Sequence, residues 1–409
     1  MSEESDSEAV LLLEPRDGIP PVVSDAEGLA EAIEALAAGT GPVAVDAERA
    51  SGYRYSGRAY LVQLRRAGAG TVLIDPTGLP SGLGELARAL GDAEIVLHAA
   101  TQDLPCLTEL DFRPRVLFDT ELAGRLLGYE RVGLGTMVET VLGYRLEKGH
   151  SAADWSTRPL PIEWLRYAAL DVELLVELRD ALYQQLADAG KLEWARQEFA
   201  AILAAPPPQP RSDPWRRTSG IHRVRSLRGL AVVRELWLLR DRIAREADLA
   251  PGRVLPDAAI ITAALEMPRT TKALTEISAF TGRAARRHLR EWLGAITRAR
   301  MMTESQLPQP SAPGDGPPPA NRWADRDPAA AARLAAARAT LAELAEKHRL
   351  PTENLLQPDT VRRLTWDPPE DLSAEGIADR LRRLGAREWQ ISLTAEPLSA
   401  ALTGQRAKA

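Results

Sequence analysis

The chain has 409 residues, of which 45% are hydrophobic and 26% charged, and it carries a net charge of −6. This length exceeds what one core ordinarily serves and predicts roughly two to four domains. The composition is that of a globular protein, and no apolar run reaches the roughly 18 residues of a membrane span, so no membrane partner is expected. The single cysteine, Cys106, excludes an intrachain disulfide and a cysteine-rich zinc site.

Residues 1–20 open with MSEESDSEAV, acidic and polar, without the basic start and apolar stretch of a secretory signal. A flexible N-terminus and a cytoplasmic location are expected. Over residues 21–205 the runs PVAVDAE, AYLVQLRR, TVLIDP, EIVLHA and RVLFDT read as strands, with helical periods between or after them. Three strands in quick succession imply an antiparallel start, and later strands alternating with helices imply parallel additions. DLPCLTEL puts Cys106 at a core position on a helix, and after Asp119 the pattern turns helical through Leu203.

Two proline-rich stretches, residues 206–210 (PPPQP) and 304–328, read as linkers, because proline removes backbone donors and favours extended chain. Between them residues 211–303 are helical and basic: 19 Lys plus Arg against 9 Asp plus Glu give a local +10, whereas the rest of the chain has 32 and 48, or −16. A surface of that sign attracts phosphate backbones. Residues 329–402 resemble this module. LAPGRVLPDAAI from Leu249 and LPTENLLQPDTV from Leu350 share a helix end, a proline interruption and a Pro-Asp pair opening the next helix, which suggests a duplication.

Asp46 and Glu48 lie two apart at the end of an apolar strand, so the pleat points both side chains to one face. Asp103 follows EIVLHA by a short turn, and Asp171 sits in the helical run WLRYAALDVELL, with Tyr167 one turn before it. Each alone has an ordinary explanation: exposed acids at a strand end, an acid at a helix N-terminus, a core tyrosine. Together they fit one reaction, phosphodiester hydrolysis by two divalent cations, for which hard oxygen ligands suit Mg²⁺ or Mn²⁺. Tyr167 would orient the attacking water rather than deprotonate it.

VAVDAE, VLHAATQDL and YAALD, in that order, resemble the three motifs of the DEDD exonuclease superfamily, and the Tyr-x3-Asp spacing resembles its tyrosine subclass and the ribonuclease D family. LVQL, FDTELAGRLLG and GHSAADWSTRPLP add to the likeness. The resemblance implies metal ligands at Asp46, Glu48, Asp103 and Asp171 and a catalytic tyrosine at Tyr167. It implies an α/β RNase H-like exonuclease domain with a mixed five-stranded sheet over residues 21–205, followed by two all-α HRDC-like helical domains, 211–303 and 329–402.

His98 and Gln63 also match family positions; His98 has the alternative of satisfying a backbone group. The continuation after Glu48, RASGYRYSGR, departs from the family's usual larger apolar residues, and its arginines and tyrosines suit either RNA at the mouth of the site or an ordinary loop. The implied activity is removal of nucleotides from single-stranded RNA 3′ ends, with tRNA precursors as the implied substrate and a monomer as the expected state. A DNA exonuclease on the same scaffold is the nearest alternative, because no motif reports a 2′-hydroxyl contact. A non-catalytic nucleic-acid-binding protein is disfavoured by the five intact site residues.

Overall fold

The computed structural model describes residues 9–147, 149–150, 152–207, 212–309 and 316–406. Among these, eight strands form: β1 (Val10–Leu12), β2 (Val22–Val23), β3 (Thr40–Arg49), β4 (Ala59–Ala67), β5 (Gly70–Ile74), β6 (Glu94–Leu97), β7 (Val116–Asp119) and β8 (Tyr144–Leu146). The main sheet runs β2-β5-β4-β3-β6-β7. β3, β4 and β5 are antiparallel neighbours, and β6 and β7 add in parallel.

The sheet is mixed as expected but has six strands rather than five. The additional one, β2, is two residues that pair parallel to β5 directly after Pro20 and Pro21, too short to show any alternation. The N-terminus also departs from expectation: Val10–Leu12, placed in a flexible tail, pairs in parallel with β8 to make a second, two-stranded sheet. Residues 1–8 lie outside the described residues.

β3 is the central strand. Val43, Ala44 and Val45 are all fully buried, the continuous apolar run of a strand covered on both faces. The helix Ile162–Glu173 packs across β3, β4 and β5 on one face, with its Ala168 and Ala169 in a cluster with Ala50, Tyr60, Leu61 and Trp155. Cys106 is buried on the helix Leu104–Glu109, and burial pushes its thiol pKa up to about 12.

The helical segments do not divide as the proline-rich stretches suggested. Residues 208–210 and 310–315 of those stretches lie outside the described residues, but the flank of the second is ordered: Trp323 is fully buried, starts the helix Trp323–Arg326, donates its indole N–H to the Pro318 carbonyl at 2.7 Å and meets Trp366 at 4.8 Å. The basic module has its own core around Leu236, Ile260, Phe280 and Trp292. The C-terminal module instead shares one with the exonuclease domain. Trp389 stacks on Trp194 at 4.8 Å and donates to Glu198 at 3.0 Å, and the buried Lys191 ammonium donates to the carbonyls of Leu126 and His348.

The first three helices of the two helical modules correspond. Helices Leu227–Ala247 and Pro328–His348 are each 21 residues long and end on a left-handed residue, Asp248 (φ 45°) and Arg349 (φ 50°). Short helices Pro251–Val254 and Thr352–Leu355 follow, then Asp257–Glu266 and Pro358–Trp366. Among the described residues, no helix is long and apolar enough to cross a membrane.

The shared core makes a prediction. Trp389→Ala should destabilise the protein by about 3–5 kcal/mol, and amide exchange should accelerate in the helix Leu192–Ala204 as well as in Glu388–Arg406. Acceleration confined to the latter would show a module that folds alone.

Candidate active site

The site forms where β3, the turn after β6 and the helix Ile162–Glu173 meet. Asp46 and Glu48 project from the face of β3 that this helix covers, which brings Asp171 over them. Carboxylate oxygens of Asp46, Glu48 and Asp171 all lie within 4.8 Å of one another. Asp103 and Tyr167 line the same cavity of about 860 Å³. Asp103 stands apart from the trio, its carboxylate paired with the Arg49 guanidinium at 3.1 Å, and Arg49 also donates to the Gln102 carbonyl at 2.5 Å.

Local structure explains each position. The β3–β4 ladder is irregular between Glu48 and Arg49, and such a bulge re-aims the next side chain, here toward Asp103. Gln63, opposite Asp46 on β4, is fully buried and donates to the Asp46 carboxylate at 3.1 Å. The turn carrying Asp103 begins at Ala99, whose φ of 60° is unusual for a residue with a side chain. The buried Asp119 carboxylate holds that turn by accepting from the backbone N–H groups of Ala99 and Ala100 at 3.1 and 2.9 Å, while it also caps the helix Thr120–Leu127 through Glu121 and Leu122.

Burial and mutual repulsion dominate the electrostatics. Glu48 has its pKa pushed up to about 10, by burial and then by Asp46, Asp171 and Asp103; Asp103 is pushed up to about 8, by burial and then Asp46. Asp46 and Asp171 are raised by burial, and Asp171 by Asp46 in addition. Tyr167 donates to Asp171, and burial plus the surrounding carboxylates raise its pKa well above the ordinary tyrosine value. It therefore keeps its proton. Such a donor set, hard oxygens that only protons or cations reconcile, fits divalent metal ions.

Of the other residues singled out, His98 lines the cavity but is engaged by Thr120 at 2.9 Å and by the Val132 backbone, and burial pushes its pKa down to about 4, so it is neutral. The residues after Glu48 divide their tasks: Arg49 faces Asp103, whereas Arg54 donates to Ser156 at 2.7 Å and Tyr55 packs into the core of the basic module. Asp119 was not singled out from the sequence, although an Asp directly before a helical pattern is an N-cap signal.

A family model described as "3'-5' exonuclease" matches residues 20–187, one described as "HRDC domain" matches 229–296, and one described as "3' to 5' exonuclease C-terminal domain" matches 316–402. A mixed sheet carrying a buried acidic cluster at the end of its central strand, within such a match, defines a 3′→5′ exonuclease. Ribonuclease D of Gluconacetobacter diazotrophicus is 30% identical over 339 residues, covering 81% of this chain and 82% of that protein. The crystal structure of a protein from Bifidobacterium adolescentis matches with a TM-score of 0.88 and 38% identity over 97% of this chain and 100% of that one. That of Escherichia coli ribonuclease D, an exoribonuclease involved in structured RNA processing, matches with a TM-score of 0.67 and 25% identity over 94% and 98%. The chain belongs to the ribonuclease D family, and its enzymatic class is that of a 3′→5′ exoribonuclease.

The raised carboxylate pKa values have a testable consequence. Between the ordinary carboxylate range near 4 and about 8 for Asp103 or about 10 for Glu48, the folded state holds protons that the unfolded state has lost, so stability falls as pH rises. In EDTA the melting temperature should decline between pH 5 and pH 9, less steeply in Asp103→Asn, and added Mn²⁺ should raise it more at pH 9 than at pH 6. A pH-independent Mn²⁺ effect would contradict the assignment.

Proposed function

We propose that the enzyme hydrolyses single-stranded RNA 3′ ends, tRNA precursors among them, and releases 5′-mononucleotides, with Asp46, Glu48, Asp103 and Asp171 holding two Mg²⁺ or Mn²⁺ ions. What supports this reading most is the convergence of three carboxylates within 4.8 Å, with Asp103 and Tyr167 in the same cavity. Bound divalent cations supply the Lewis acidity that activates the attacking water and stabilises the leaving oxygen.

The chain's own groups do the rest. Asp46 and Glu48 present their oxygens from a rigid central strand, and Gln63 fixes the rotamer of Asp46 by its hydrogen bond. Tyr167 retains its proton and orients the water by hydrogen bonding, in partnership with Asp171. Arg49 governs Asp103, which must give up this ion pair, or share it, to ligate a cation. The excess of 19 basic over 9 acidic residues in 211–303 supports a grip on the phosphate backbone that is sequence-independent. A cytoplasmic monomer is the form we propose.

The decisive assay presents the purified protein with a 3′-extended tRNA and a matched single-stranded DNA, in Mg²⁺, Mn²⁺ or EDTA. RNA should be shortened from its 3′ end only when a cation is present. Cleavage in EDTA would sink the mechanism, and preference for DNA would sink the substrate class. Asp46→Asn and Asp171→Asn should reduce activity to background without loss of fold, and Tyr167→Phe should lower kcat about a hundredfold while leaving Mn²⁺ affinity unchanged.

A further inference from the structure

Residues 50–58 connect β3, which carries Asp46 and Glu48, to β4. Their first part borders the reaction: Ser51 and Gly52 line the catalytic cavity, and Arg49, which holds Asp103, is at the root. Tyr53 packs in the cluster that contains Trp155, Trp164 and Tyr167. A shift of this loop would therefore reach both Asp103 and Tyr167.

The loop satisfies few of its backbone groups internally; Tyr53 and Arg54 donate to the Ala50 carbonyl at 2.8 Å. Four others are satisfied by the HRDC module. Arg253 Nε donates to the Gly52 carbonyl at 2.8 Å, and the Ala250 N–H donates to the Tyr53 carbonyl at 2.9 Å. One carboxylate oxygen of Asp248 accepts from the N–H groups of Tyr55 and Ser56 at 3.2 and 3.3 Å. Side chains add to this. The Arg253 guanidinium lies 4.0 Å from the Tyr53 ring centroid, and the Tyr55 ring packs against the HRDC core, its hydroxyl donating to Asp241 at 2.9 Å and accepting from Arg245.

All these partners come from one corner, the end of the helix Leu227–Ala247, its left-handed cap Asp248 and the short helix Pro251–Val254. A loop containing Gly52 and Gly57 has much conformational freedom to lose, and with its residues 51–58 exposed or only half-buried it has no core of its own to fix it, so the external partners define its conformation. We infer that the HRDC module is part of the catalytic scaffold: Arg253, Asp248 and the Tyr55 socket are positioning residues that fix the 50–58 loop, and through it Arg49, Asp103 and Tyr167, for turnover. This rests on the exonuclease reading above and adds a task distinct from gripping RNA.

The test compares wild type, Arg253→Ala, Arg253→Lys and Tyr55→Phe on a single-stranded oligoribonucleotide, with kcat and KM measured separately over a range of salt. Because misplacement by about 1 Å can cost about a hundredfold in rate, kcat at saturating RNA should fall about tenfold or more in Arg253→Ala and Tyr55→Phe, with partial recovery in Arg253→Lys. KM and the salt dependence of binding should stay unchanged, and amide exchange at Tyr55 and Ser56 should accelerate at an unaltered melting temperature. Should Arg253→Ala fail to fold, Tyr55→Phe, which removes only a hydroxyl, carries the test alone. Unchanged kcat in Tyr55→Phe would overturn the inference, as would a raised KM with a salt slope reduced by about one in Arg253→Ala, the mark of a lost phosphate contact. Wild type inert on every RNA would instead overturn the exonuclease reading itself.

Discussion

The carboxylates of Asp46, Glu48 and Asp171 repel one another across a cleft that screens them poorly, and much of the surrounding structure serves to hold them there. Like charges within 4.8 Å in a medium of low polarity either splay apart, take up protons or bind cations. Splaying is prevented by where they are rooted. Asp46 and Glu48 come from the centre of a six-stranded sheet, and Asp171 from a helix whose Ala168 and Ala169 leave no gap against that sheet. Protonation is what the raised pKa values of Glu48 and Asp103 describe. Cation binding is the remaining way to relieve the repulsion, and it is the one that chemistry can use.

The fourth acid is held by different means. Asp103 is on a turn, and its placement depends on a left-handed alanine whose two adjacent N–H groups bind one carboxylate, that of Asp119. Backbone strain of this kind persists only where surroundings over-determine it. Arg49 then moderates the electrostatic condition of Asp103, since its guanidinium partly offsets the burial and the Asp46 charge that raise the carboxyl's pKa to about 8. Three acids are thus fixed by regular structure, and one is adjustable.

That contrast also explains what the sequence made legible. The Asp-x-Glu pair and the Tyr-x3-Asp pair obey the periods of strand and helix, so their shared faces could be read directly, and the structure brings Asp46, Glu48 and Asp171 together. The antiparallel start and parallel additions were readable from connection lengths. β2 and β1 were not, because two or three residues show no periodicity and gain their partners only from the fold. The ordered flank around Trp323 was obscured by proline density, and the C-terminal module's attachment by local helix signals that look the same whether a core is private or shared. Arg49 and Asp119 act through contacts 54 and 19 or 20 residues away, which no local pattern encodes.

The distribution of charge ties these parts together. Four acids, whether protonated or ionised, offer a polyanion no attraction, so the acidic cleft does not by itself gather RNA. The basic module, locally +10 in a chain of −6, carries the opposite charge, and it is anchored at a loop that borders the cleft. That attachment keeps the basic module next to the cleft. The same contacts link the basic module, through Arg253 and Asp248, to the loop rooted at Arg49. The module thus has a core of its own and yet is tied through this interface to the loop beside the carboxylates.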